Sequence, residues 1–157
     1  MSIYCPILEH KVTYIHCQDC GEGCKKQTVI NHDNEFYCLI VGSRTFNNYE
    51  MLKETVNKLL VNNIGKREIH IVSGGANGAD TLAEKYANEY GYKLHVFKAD
   101  WSYGKSAGYS RNRKMHEFIS QFPHRGCVAF WDGKSKGTAH NFKLSEDYNN
   151  NLRIVKF

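Results

Sequence analysis

A chain of 157 residues, 41% hydrophobic and 24% charged, has the length and composition of one globular domain with a small appendage. No apolar run is long enough to span a bilayer and no apolar leader segment stands at the start. These features argue against a membrane protein or a secreted one and predict a cytoplasmic protein. The formal charge of +5 is uneven: before Cys38 three Lys/Arg stand against five Asp/Glu, and from Cys38 onward 18 stand against 11. A basic main domain favours anionic partners, although a solvated basic surface explains the charge nearly as well.

Residues 1–35 lack a periodic pattern long enough to build a core, yet hold four of the six cysteines. In a reducing compartment these are metal ligands or buried thiols before they are disulfides. Cys5, Cys17, Cys20 and Cys24 form C-x11-C-x2-C-x3-C, and thiolates on tight turns such as 20–24 can converge tetrahedrally on a structural zinc ion. The expectation is a small zinc-ribbon-like module, with His10 and His16 as reserve ligands. A reduced, loosely ordered tail is the plainer alternative. The CxxC does not open a helix after a strand, which counts against thioredoxin-like chemistry.

Residues 36–157 alternate in type. A buried strand is predicted over 36–41. It is followed by a helix capped by Asn47 or Asn48 with Leu52, Val56, Leu59 and Leu60 on one face. A second strand (69–72) leads to a helix lined by Ala79, Ala83, Tyr86, Ala87 and Tyr90 and stopped by Gly91. A third strand (94–97) precedes a polar loop (100–107) and a helix marked by Met115, Phe118, Ile119 and Phe122. A fourth strand (127–131), a helix over 138–148 and a last strand (152–157) complete the series. Five β/α alternations give a Rossmann-like, doubly wound, mostly parallel five-stranded α/β sheet with helices on both faces. With strand order 3-2-1-4-5, ligands bind at the carboxyl ends of the first and fourth strands.

Glycine-rich signals fall at those carboxyl ends: Val41-Gly42-Ser43-Arg44, the stretch from Ser73 through Gly74, Gly75 and Gly78 to Asp80, and Asp132-Gly133-Lys134-Ser135-Lys136-Gly137-Thr138. Glycine lets backbone amides approach a phosphate, and a helix N-terminus adds a favourable dipole. Gly104-Lys105-Ser106 and Gly133-Lys134-Ser135 imitate the end of a P-loop, but the required earlier glycine is Ala99 in one and Val128 in the other. The dinucleotide fingerprint is also missing after the first strand.

Taken in order, these motifs resemble the SLOG superfamily, which includes the LOG phosphoribohydrolases and the DNA-processing protein DprA, and within it the YspA-like branch. The resemblance spans residues 37–157. It rests on Gly42-Ser43-Arg44, on the 73–80 turn, on the loop-to-helix stretch from Gly104 through Arg111 and Asn112 to Met115, and on the stretch from Trp131 through Ser135, Gly137 and Thr138 to His140. It implies a pocket for a nucleotide or nucleotide-derived ligand, in some members with cleavage of an N-glycosidic bond. Gly74, Gly75 and Gly78 would turn amide donors toward a phosphate or ribose. Arg44 and Arg111 offer bidentate contacts to phosphate, and Ser135, Gly137 and Thr138 offer a second anion cradle. Asp80 reads two ways, as a ribose acceptor or as a helix cap.

One departure weighs on the chemistry. LOG enzymes carry G-G-x-G-T-x-x-E, and aligning its G-T with Gly137-Thr138 puts Asn141 where the glutamate belongs. The basic pair has a counterpart within 111–114. Glycosidic cleavage needs an acid or carboxylate that Asn141 does not offer; Asp80, Asp100 and Asp132 are the available substitutes. Trp101 and Tyr103 read as packing side chains more than as base-stackers, Trp131 as either, His140 as an exposed first-turn residue, and Cys38 and Cys127 as inert core thiols. The leading expectation is therefore a protein that senses or sequesters a nucleotide-derived small molecule. A LOG-like hydrolase comes second. Nucleic-acid binding comes third, since no aromatic stacking platform is evident in the sequence. A homo-oligomer and a phage or mobile-element setting both stay open.

Overall fold

In the computed structural model, which describes residues 2–5, 10–13 and 29–157 with side chains from residue 31 onward, the chain divides into two compact units, Met1–Asp33 and Asn34–Phe157. The first contains three short strands, β1 (Ser2–Cys5), β2 (His10–Thr13) and β3 (Val29–Ile30), in an antiparallel sheet of order β2-β1-β3. Strands of two to four residues are too short for alternation to register in sequence, so these were not anticipated. The Cys5, Cys17, Cys20 and Cys24 set expected to hold zinc lies outside the residues whose side chains are described.

The second unit runs β4 (Glu35–Gly42), α1 (Tyr49–Leu60), β5 (Glu68–Ser73), α2 (Ala79–Tyr90), β6 (Lys93–Val96), a single 3-10 turn (Trp101–Tyr103), α3 (Ala107–Ser120), β7 (Arg125–Trp131), α4 (Lys136–Asp147) and β8 (Leu152–Lys156). The strands lie in the order β6-β5-β4-β7-β8, and every neighbouring pair is parallel. This is the 3-2-1-4-5 order of a Rossmann-like sheet, wholly rather than mostly parallel.

The strands are buried on both faces, so alternate residues feed two cores. Cys38, Ile40, Ile71, Val128 and Phe130 pack beneath α1 and α2, while Leu39, Val41, Val72, Cys127 and Ala129 pack against Met115 and Ile119 of α3. Asn48 Oδ1 accepts the Met51 N–H at 3.0 Å and starts α1, which buries Leu52, Val56 and Leu60 completely. Each such side chain contributes about 1.5–3 kcal/mol. Gly91 ends α2 in the left-handed region, at φ 68°. Phe122 lies past the end of α3 but is still buried, its ring 3.6 Å from that of Tyr37. The two core thiols, Cys38 and Cys127, are raised by burial, Cys38 to about 12. Among the described residues no helix is long and apolar enough to cross a membrane.

The chain leaves β4 toward β5 on one side and β7 toward β8 on the other. The carboxyl ends of β4 and β7 therefore border the crevice where such sheets take ligands. Gly42 permits the crowding there: a Cβ would lie 2.5 Å from Ala79 Cβ and 2.6 Å from the Phe130 carbonyl.

Candidate ligand-binding cleft

A cleft of about 380 Å³ opens at this switch point, within the range of small-molecule sites. Gly42 at the end of β4 and Arg44 just after it, Asp80 on α2, Arg111 and Asn112 on α3, and Ser135, Gly137 and Thr138 at the start of α4 all line it. Gly74 and Gly75 line an adjoining cleft of about 370 Å³, which shares Arg44, Ala76, Trp101 and Arg111 with the first. Ser43 and Gly78 line neither and hold backbone in place. The buried Ser43 hydroxyl accepts the Asp132 N–H at 3.2 Å and so ties the first glycine turn to the last. Gly78, at φ +82°, lies where a Cβ would come within 2.6 Å of the Ser43 and Arg44 backbone.

Arg111 forms the wall between the clefts. Its Nη1 donates to the Gly74 carbonyl at 2.6 Å and its Nε to Asn112 Oδ1 at 3.0 Å, which fixes the plane of the guanidinium. Asn112 in turn donates to the Gly137 carbonyl at 3.2 Å. One chain of hydrogen bonds thus joins the second glycine turn, α3 and the start of α4.

The 73–80 turn is closed on itself more than the sequence suggested. The Gly75 amide donates to Ser73 Oγ at 3.3 Å and the Ala76 amide to Asp80 Oδ2 at 3.1 Å, so these donors serve the turn and not a ligand. The N-cap of α2 is Gly78, which removes the cap reading of Asp80. The Asp80 carboxyl is buried against the cleft, and desolvation raises it to about 6 even though the Ala76 amide and the cationic Arg111 and Arg44 pull it down.

At the third turn, Asp132 Oδ1 accepts the amides of Lys134 and Ser135 at 2.9 and 2.8 Å, and these bonds lower its pKa. Ser135 caps α4 by accepting the Thr138 N–H at 3.3 Å. The amides of Lys136 and Gly137 have no intrahelical acceptor, and the dipole of α4 adds positive potential at this wall. Trp131 donates from Nε1 to the Ser135 carbonyl at 3.1 Å and meets Phe142 edge-on, which makes it a brace for the turn at the core edge. Asp100 caps the 3-10 turn through Ser102, so of the three candidate carboxylates only Asp80 lines the cleft.

Several features were not legible in sequence. Trp101 and Tyr103 are 53% and 80% exposed instead of packed. Trp101 borders both clefts with the Arg44 guanidinium 5.5 Å from its ring centre, and together with Tyr109 it forms an aromatic rim. His140 is half-buried against Tyr109, not exposed. Lys105, Tyr109 and Asn141 also line the cleft. The four-residue spacing of Asn141 from Gly137 on one helix face was the available signal. Asn141 is fully engaged: its Nδ2 donates to the Gly137 carbonyl at 3.1 Å, and its Oδ1 lies 3.1 Å from His116 Nε2. His116 is wholly buried, held down to about 4 by desolvation and therefore neutral; its Nδ1 accepts from Asn150 at 3.1 Å.

The family model YAcAr, described as the YspA, cpYpsA-related SLOG family, matches residues 38–104, which include Arg44, the 73–80 turn and Trp101. The Gene 61 protein of Mycobacterium phage D29 is 33% identical over 110 residues, covering 65% of this chain and 82% of that protein. A solved structure titled as a predicted subunit of tRNA methyltransferase from Methanocaldococcus jannaschii is 13% identical, covering 78% of this chain and 67% of that one. Its TM-score of 0.33 is too low to bear on the site. With the first two glycine turns inside the matched segment and most of the phage relative spanned by this sequence, the chain belongs to the YspA, cpYpsA-related SLOG family.

Proposed function

We propose that the cleft binds a nucleotide or nucleotide-derived anion, and that the protein senses or sequesters this ligand without turning it over. The observation that carries this reading is the placement of Arg111. It is held by the Gly74 carbonyl and Asn112 at the wall shared by two clefts, with Arg44 and the exposed Trp101 beside it. A guanidinium fork suits a phosphate. The α4 N-terminus adds amide donors and Trp101 a ring face for a base.

The test is a thermal-shift screen of the full chain against nucleoside mono- and diphosphates, dinucleotides and nucleotide sugars, together with native mass spectrometry of the protein as purified. A ligand at one hundred times its Kd stabilises by about 2.7 kcal/mol. Arg111→Ala is expected to abolish the shift. Gly137→Ala provides a second arm: nothing lies within 4 Å of the added methyl, so the fold tolerates it, while the methyl narrows the cleft wall and weakens binding. No shift across the panel and no co-purified nucleotide would overturn the reading.

One observation favours a second reading, a LOG-like N-glycosidic hydrolase. Asp80, at about 6, holds its proton for part of the time near neutral pH, as a general acid must. Release of free base from a nucleotide, lost in Asp80→Asn with the fold intact, supports it; no turnover at high protein concentration removes it.

A further inference from the structure

At the opposite end of the sheet, where parallel strands begin together, a second group of polar side chains meets. Glu35 and Glu68 open β4 and β5 and are register partners across them. Like charges directly opposite one another destabilise a sheet unless a cation lies between them. His70, two residues further along β5, has only 5% of its side chain exposed and brings its Nε2 to 2.8 Å from Glu68 Oε1 and 3.8 Å from Glu35 Oε1. One ligating atom from each of the three lies within 4.8 Å of the other two.

We propose that Glu35, Glu68 and His70 form a binding site for a divalent ion of the zinc class, distinct from the nucleotide cleft. One imidazole and two carboxylates make a mixed N/O donor set suited to zinc, with a fourth position left for water. Two further side chains set the ligands as metal sites require. His95 Nε2 lies 2.9 Å from His70 Nδ1, and the Tyr37 hydroxyl donates to Glu35 Oε2 at 3.3 Å while its ring stacks on His70 at 4.3 Å.

In the metal-free arrangement His70 Nε2 faces the Glu68 carboxylate at 2.8 Å, and His70 Nδ1 shares a hydrogen bond with His95 Nε2. Zinc takes the place of the Nε2 proton. His70 Nδ1 then carries a proton and donates it to His95 Nε2, while His95 is protonated at Nδ1. The competitor is Lys93, whose Nζ lies 2.9 Å from Glu68 Oε1; this pair is exposed, worth little, and easily displaced.

The experiment is ring-nitrogen NMR of the full chain with 15N-labelled histidine, titrated with zinc chloride. The expected result is a metal-bound shift at His70 Nε2, with the proton of the His70 ring on Nδ1. Zinc held by the cysteines leaves these signals unmoved. Glu68→Gln is expected to weaken the site at least about tenfold, and His95→Phe about 10–100-fold; Lys93→Met tightens it. Glu68 and Lys93 are exposed, so these two variants keep the fold. Unmoved His70 signals at millimolar zinc, or a shift undiminished in Glu68→Gln, would overturn the proposal.

Discussion

Asp80→Asn is expected to make the protein more stable at neutral pH, although it removes a charged residue from the cleft. At 6% exposure the carboxyl is screened by little solvent, and burial moves it from 3.8 to about 6. The folded state thus binds this proton more tightly than the unfolded chain does. The stability it contributes is fully present below pH 3.8 and is lost as pH rises through about 6. The full displacement corresponds to about 3 kcal/mol, or about 6–12 °C in Tm for a chain of this size. Asparagine keeps an oxygen for the Ala76 amide, at 3.1 Å from Asp80 Oδ2 in the native turn, and never ionises. Thermal melts of both proteins at pH 4, 6 and 8 check this. Their difference is expected to be near zero at pH 4 and largest at pH 8. His116 works in the other direction: its pKa is lowered to about 4, so its contribution is present above pH 6.5 and lost as pH falls through 4. It is common to both proteins and cancels in the difference. A variant less stable than the parent at pH 8, or a difference that does not vary with pH, would refute the reasoning and show that Arg111 and Arg44 outweigh burial.

Three further substitutions test the scaffold that carries the cleft. Gly78→Ala meets both a strained φ of +82° and backbone within 2.6 Å, and is expected to cost about 2–5 kcal/mol. Gly91→Ala, at φ +68° with open space around it, is expected to cost only about 1–2 kcal/mol, and urea unfolding of the two side by side separates crowding from strain. His116→Phe leaves Asn141 Oδ1 and Asn150 Nδ2 without their histidine partners and is expected to cost about 2–4 kcal/mol. It should also remove the acid-side loss of stability between pH 6.5 and 4, read from Tm against pH.

What could be read from sequence follows from which interactions are local. Parallel strands covered on both faces appear as continuous apolar runs, so Cys38 to Val41 and Cys127 to Trp131 announced themselves, and with them the whole alternation. Gly91 acts within one turn of its helix and was equally plain, while the cap of α1 was narrowed to Asn47 or Asn48, of which the structure uses Asn48. The role of Gly78 depends on where Ser43 and Arg44 arrive from another strand, and that contact is absent from any local pattern. Likewise the amide donors credited to Gly75 were taken by Ser73 two residues earlier, a competition that spacing alone does not decide. The Glu35–Glu68–His70 group joins two strands 33 residues apart through sheet register, which no motif encodes. Glycine turns locate a crevice well because they are local; which side chains face into it is a tertiary matter.

Asn141, at the position where the resemblance to LOG enzymes would put a glutamate, is best understood from its surroundings. The Gly137 carbonyl, which also accepts from Asn112, takes a hydrogen bond from the side chain at this position, and the Nε2–H of neutral His116 needs an acceptor. An amide supplies both; an ionised carboxylate supplies only the second and would leave a buried charge against a carbonyl. His116 is held neutral by burial, its other nitrogen meets Asn150 Nδ2, and Asn150 accepts from Arg125 Nε at 2.6 Å, so the preference for an amide extends through the interior. The position is therefore built around asparagine and is more than a hydrolase site missing one group. The carboxyl that does reach the cleft, Asp80, belongs to a different helix and is tied to the Ala76 amide. A hydrolase on this scaffold would have to work from that residue, whereas a binding protein needs only the walls that are already in place.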